Sequence, residues 1–147
     1  MSDETCEISL HHVPDETVKK VLRESRTIAV VGLSTNPEKD SHKVPAYLKK
    51  KGYRIIPVHP SADEILGEKV YPGLSHIPEK VDIVNVFRPP SEVPAITDSS
   101  IEIGAKVIWT QEGIVSNESA KKAEAAGVTM IMGKCIMKEH KAVFGTA

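Results

Sequence analysis

The stretch Thr27-Ile28-Ala29-Val30-Val31-Gly32-Leu33-Ser34-Thr35-Asn36-Pro37, with Ser41 four residues further on, carries most of the fold information in this chain. Its first five residues are apolar or β-branched without alternation, the pattern of a strand buried on both faces. A glycine at the strand end, then hydroxyl and amide side chains and a serine at a helix start, make a strand–loop–helix unit. Such a unit presents backbone N–H groups and hydroxyls where a bulky anion can approach the main chain. A branched side chain at Gly32 is expected to obstruct that approach while leaving the fold intact. A tight βα turn with no ligand has the same residues, and this stretch alone does not choose between the two.

Working outward, similar short runs occur at Tyr53-Arg54-Ile55-Ile56, Val81 to Phe87, Lys106 to Trp109 and Val128 to Met132. Amphipathic segments lie between them. One opens at Pro14-Asp15-Glu16, buries Val18, Val21 and Leu22, and carries Arg23 near its negative end. Another follows Ser41 and runs to Lys51, with Pro45 early in it and Gly52 as a C-terminal stop. A third follows Ser91 and ends at Gly104, and a fourth follows Asn117 and ends at Gly127. The stretch from Pro60 to Lys80 shows no long helix. This alternation predicts an α/β, Rossmann-like, doubly wound domain over residues 1–147, with a mainly parallel five-stranded sheet and helices on both faces. Roughly the first twelve residues are expected to be loose. In such sheets ligands sit outside the carboxyl ends of the strands, at the point where strand order reverses.

Composition narrows the function classes. The 147 residues are 40% hydrophobic and 27% charged, ordinary for a globular protein, and a net charge of −1 gives no electrostatic case for nucleic acid or an anionic membrane. No apolar stretch approaches the ~20 residues that span a bilayer. Asp3, Glu4 and Glu7 interrupt the N-terminus, so no secretory signal is expected. Cys6 and Cys135 then read as reduced thiols, and the expected compartment is the cytoplasm.

The strand ends hold the candidate chemistry. Gly32 stands alone, without the further glycines of a G-x-G-x-x-G loop. After the second strand, Pro57-Val58-His59-Pro60 offers no acid for a ribose 2′-OH, which disfavours a nicotinamide cofactor. A ligand with an additional phosphate has Lys39, Lys43 and His59 to meet it, although His59 also reads as a capping or packing histidine. The third strand ends in Phe87-Arg88-Pro89-Pro90: two prolines stiffen the wall, Phe87 suits a flat ring or alkyl chain, and Arg88 suits a phosphate or plain solvent. In Trp109-Thr110-Gln111-Glu112-Gly113 the aromatic and Gln111 form either the far lip of a cleft or a core residue followed by a turn.

No catalytic or metal-binding constellation emerges. Cys135 and His140, five residues apart, would point about 140° apart on a helix. His11 and His12 lack further ligands for a metal, and Glu112 lacks a partner acid.

In order and spacing, Val30-Val31-Gly32-Leu33-Ser34, Ser41, Val44, Tyr47-Leu48, Gly52-Tyr53, Pro57-Val58-His59-Pro60, Phe87-Arg88-Pro89-Pro90, Val107 to Ile114, Cys135-Ile136 and Glu139-His140 resemble the CoA-binding domain family, above all its small stand-alone members. The chain is also similar to the N-terminal, CoA-binding half of succinyl-CoA synthetase α subunits and ADP-forming acyl-CoA synthetases. The resemblance implies coenzyme A, or an acyl-CoA, as ligand. It puts Gly32, Leu33 and Ser34 against the diphosphate with Ser41 and Lys43 nearby, Val58 and His59 beside the adenosine end, and the loops Pro57–Pro60 and Gln111–Gly113 around the coenzyme. Phe87 and Arg88 would pack on or bond to the ligand, and Trp109 and Gln111 join the candidate site as its far lip. His59 stands where asparagine is expected in most stand-alone members, and the glycine loop is sparser than that of the synthetases. The chain reaches Ala147 without the second synthetase domain, whose histidine is phosphorylated, so the resemblance implies non-catalytic binding by a carrier, sensor or partner module. A nucleotide-dependent enzyme using NAD(P) is the alternative, and a homodimer or a partner protein is left open.

Overall fold

The computed structural model describes residues 11–145. The looseness expected of the N-terminus, the missing signal and Cys6 concern residues 1–10 and so lie, all but the last two of the loose residues, outside those described. The strands are β1 (Thr27–Val31), β2 (Arg54–Val58), β3 (Glu64–Ile65), β4 (Glu68–Lys69), β5 (Ile83–Val86), β6 (Val107–Thr110) and β7 (Thr129–Ile131). The helices are α1 (Asp15–Glu24), α2 (Asp40–Lys50), α3 (Val93–Glu102), α4 (Asn117–Ala125) and α5 (Ile136–Phe144). Five strands form one parallel sheet in the order β2-β1-β5-β6-β7. The doubly wound α/β architecture expected from the sequence is the one observed.

Continuous apolar strands imply two cores, one on each face. Ile28, Val30, Ile83, Val107, Trp109 and Ile131 join residues of α1, α2 and α5 on one side. Ala29, Val84, Val86, Ile108 and Met130 join residues of α3 and α4 on the other. β2 extends through Pro57, which an edge strand tolerates because one ladder side needs no donor. Tyr71 covers that edge, its N–H donating to the Pro57 carbonyl at 3.0 Å and its carbonyl accepting from the His59 N–H at 3.1 Å.

Helix boundaries depart from the expected ones for local reasons. α2 starts at Asp40, so Ser41 lies inside its first turn rather than capping it. Ser116, not Asn117, caps α4, its hydroxyl oxygen accepting from the Ser119 N–H at 3.3 Å. A 3₁₀ turn over Pro90–Glu92 precedes α3. Between Pro60 and Lys80 there is a tiny antiparallel hairpin, β3–β4, and a 3₁₀ turn at Leu74–His76, in keeping with the missing long helix.

Pro45 has a definite consequence. With no N–H it cannot bond the Ser41 carbonyl one turn earlier, and the Ser34 N–H takes that acceptor at 3.1 Å. The His42 ring, through Nδ1, donates to the Ser34 carbonyl at 2.7 Å. The loop after β1 is thereby tied to the helix it feeds.

α5 was not anticipated. It buries Ile136 and His140, one turn apart, against α1 and α2. His140 is only 6% exposed, bonded at Nδ1 to the Tyr47 hydroxyl at 2.8 Å and packed against Tyr53 and Phe144. Burial, and secondarily the Lys51 charge, holds its imidazole below the ordinary histidine range. The unfolded chain therefore binds more protons just below pH ~6.5, so stability is complete above that point and declines as pH falls toward the folded value. Melting midpoints across this interval should fall with pH, and H140Q should flatten the slope; a wild-type minus H140Q difference independent of pH would refute this origin.

Candidate functional site

The chain leaves β1 by α2 to form β2 on one side, then crosses to form β5 on the other, so strand order reverses between β1 and β5. A cleft of about 480 Å³ opens at that reversal, over the carboxyl ends of β1, β2 and β5. Gly32, Leu33, Ser34, Lys39, Ser41, Val58, His59, Pro60, Phe87 and Arg88 line it, with Val31, Pro72, Glu92 and Ile96. A smaller apolar groove of about 210 Å³ shares Val31, Val58, Pro72 and Ile96 with it and adds Leu74 and Ala95.

Another depression, about 400 Å³, lies between Leu22, Arg26, Lys51, Tyr53, His140 and Phe144. The C-terminal ends of α1, α2 and α5 converge there with Arg23, Arg26 and Lys51, beside the start of β1 and β2 and so at the end of the sheet away from the strands' carboxyl ends. The cleft at the strand reversal lies at the carboxyl ends, beside the first turn of α2, and is the stronger candidate.

The donors in this cleft differ from a glycine-loop cradle. The Gly32 N–H is bonded to the Val58 carbonyl at 3.3 Å and the Ser34 N–H to Ser41, so neither is free. Leu33 is fully buried, its side chain anchoring the loop in the core. The polar and charged residues that line the space beside the start of α2 are Ser34, Lys39, Ser41, His59, Arg88 and Glu92.

His59 does the work of a turn asparagine. Its Nδ1 accepts the N–H groups of Ser61 and Ala62, both at 3.1 Å, so the neutral ring carries its proton on Nε2. The capping reading of this residue is the one its hydrogen bonds show, and the same side chain lines the cleft. H59N preserves an acceptor at that place and should melt close to wild type. H59A leaves two N–H groups without it and should lose about 1 kcal/mol, the scale of a lost cap, in chemical denaturation.

Arg88 is forked onto Glu92, Nε to Oε1 at 3.0 Å and Nη2 to Oε2 at 2.7 Å. These hydrogen bonds, more than the bare charges, hold the guanidinium above and the carboxyl below their ordinary ranges. Phe87, half-buried, continues β5 by donating its N–H to the Val31 carbonyl at 2.9 Å.

Three anticipated residues lie elsewhere. Lys43 lines a separate groove along α2 with Pro37, His42, Ala46 and Tyr47. Trp109 is fully buried and its Nε1–H donates to the Lys134 carbonyl at 2.9 Å, so it fills core behind the strand ends and forms no lip. Gln111 begins a turn closed by the Ile114 N–H on its carbonyl at 3.0 Å; its side-chain oxygen is buried without a hydrogen-bond partner in the structure. Pro72, Glu92 and Ile96 were missed, although Glu92 stands four residues after Arg88, the spacing of a helical ion pair. Among the described residues no three histidine, cysteine or acidic side chains gather as metal ligands, and no helix is long and apolar enough to cross a membrane. Cys135 is a buried free thiol ahead of α5, while the His140 ring is engaged by Tyr47.

Comparison with known proteins gives this geometry a context. The family model for the CoA binding domain matches residues 26–141. The chain is 42% identical over 123 residues to the uncharacterized protein YneT of Bacillus subtilis, covering 84% of this chain and 91% of that one. A hypothetical protein from Pyrococcus horikoshii superposes with a TM-score of 0.89 at 35% identity, over 95% of this chain and 98% of that one. Acetate–CoA ligase [ADP-forming] II of Archaeoglobus fulgidus is 33% identical over 101 residues, which are 67% of this chain but 15% of the ligase. With its strand-reversal cleft and a match that runs from β1 into α5, this chain belongs to the CoA-binding domain family.

Proposed function

We propose that the cleft binds coenzyme A, free or acylated, and that the protein acts by holding it, as a carrier, sensor or partner module, rather than by chemistry upon it. The observation that carries this reading is a conjunction at one place. A rim of Lys39, Arg88 and two serine hydroxyls adjoins an apolar groove walled by Val31, Val58, Pro72 and Ile96, in a chain of the CoA-binding domain family. The rim suits phosphates and the groove suits a flat ring or an alkyl segment. Lys39, Ser34, Ser41 and Arg88 would hold the phosphates; Val58, His59 and Pro60 would border the adenosine. Ligation is not carried over from the acetate–CoA ligase, because the shared region is so small a part of it. Buried, reduced Cys135 suits a cytoplasmic setting.

A thermal-shift titration with coenzyme A, dephospho-coenzyme A, NAD and NADP tests this. Ligand at about 100 times its dissociation constant adds about 2.7 kcal/mol, which raises the midpoint by roughly 5–10 °C for a domain of this size. The expected pattern is a shift with coenzyme A, a smaller one with dephospho-coenzyme A and none with NAD. A shift with NADP alone would replace the proposal by a nicotinamide-dependent enzyme, and no shift with any of them would remove it.

A further inference from the structure

We infer that Glu92 competes with a ligand phosphate for the Arg88 fork and sets how strongly a ligand must be charged to engage it. This rests on the coenzyme reading of the cleft and adds to it a residue that tunes selectivity.

Both members of the pair line the cleft. A carboxylate presents two oxygens to a guanidinium in the same forked arrangement as a phosphate, and Glu92 satisfies both contacts. The backbone fixes the spacing. Pro89 and Pro90 restrict the chain between them, and the Glu92 N–H closes a turn onto the Pro89 carbonyl at 2.9 Å. Arg88 therefore meets Glu92 without any search.

The pair is weak enough to exchange. Each side chain is 45% exposed, so solvent screens their attraction, and a released Glu92 has water available to it. A phosphate dianion brings more charge to the fork than the carboxylate it displaces. A monoanion or a neutral nucleoside does not, and meets a cleft whose arginine is already neutralised. Glu92 thus raises the threshold for entry and penalises weakly charged ligands. It acts through Arg88 and is a positioning residue rather than a direct ligand contact.

The test is isothermal titration of coenzyme A into wild type, E92Q, R88A and the R88A/E92Q double variant near neutral pH, at low and at moderate salt. E92Q should tighten binding about fivefold, which at 1.4 kcal/mol per decade is about 1 kcal/mol, the upper end for an exposed ion pair. It should also steepen the salt dependence, because a freed guanidinium then meets the phosphate at full charge. In the R88A background the same substitution should change affinity less than about twofold. Weaker binding by E92Q, or an equal gain with and without Arg88, overturns the inference while leaving the coenzyme reading in place. Absence of binding by wild type and all variants defeats that reading and this inference with it.

Discussion

Gly32→Ala should lower stability by about 3 kcal/mol, combining backbone strain with overpacking, and the melting midpoint by roughly 10 °C. Gly32 has φ of +90°, a conformation L side chains rarely adopt. A Cβ there would also lie 2.8 Å from Arg88 Cδ and 2.9 Å from the Phe87 carbonyl oxygen. The arginine can swing aside, but the carbonyl belongs to the backbone that follows β5, and it cannot. The glycine is thus required first by the close approach of two strand ends. The sequence suggested that a branched residue would block the ligand and spare the fold; the structure makes the fold itself the first casualty. Gly127→Ala is the control, since φ is +78° there and nothing lies within 4 Å of the new atom. That variant should lose only the strain contribution, about 1 kcal/mol. Equal losses in the two variants, measured by chemical denaturation, would show that the contact with Phe87 is harmless.

Trp109→Ala should have an even larger effect, about 4 kcal/mol, in the range found for removing a buried aromatic. The indole is fully buried and packs into the core beneath α5. Its loss also strands the Lys134 carbonyl. Against a typical total of 5–15 kcal/mol, such a variant is at or near the edge of folding. Trp109→Phe keeps most of the packing and loses the hydrogen bond, so it should cost about 1–2 kcal/mol. As its side chain does not reach the cleft, the folded Phe variant should bind coenzyme A with unchanged affinity. A folded Trp109→Phe protein with weakened binding would return Trp109 to the wall of the site.

The parallel sheet was legible because its strands are buried on both faces and therefore lack polar interruptions, from Ile28 to Val30 and again from Ile83 to Val86. Asn85 is the exception, and its side-chain amide donates to the Trp109 carbonyl at 3.1 Å. The cleft was legible too, because strand ends and helix starts in such folds converge on one edge. α5 was not, since its buried face combines Ile136 with a histidine, and Lys138, Glu139 and Lys141 blur the apolar stripe. Without α5 there was no visible layer to bury Trp109, which is why its position stayed open. The separation of Lys43 from Ser41 was within reach of the sequence: two residues apart on a helix they diverge by about 200°. The hairpin at Glu64–Ile65 and Glu68–Lys69 is too short to leave a periodic trace.

The proline within α2 has a kinetic meaning as well. By leaving the Ser41 carbonyl to the Ser34 N–H, Pro45 ties the loop after β1 into the fold itself. A loop that had to become ordered on binding would surrender about 1–2 kcal/mol of backbone entropy per residue. Here that entropy is lost during folding, so capture becomes a docking event whose speed is governed by encounter. If the cleft holds the proposed ligand, its variants should accordingly differ in how long they retain it far more than in how quickly they acquire it.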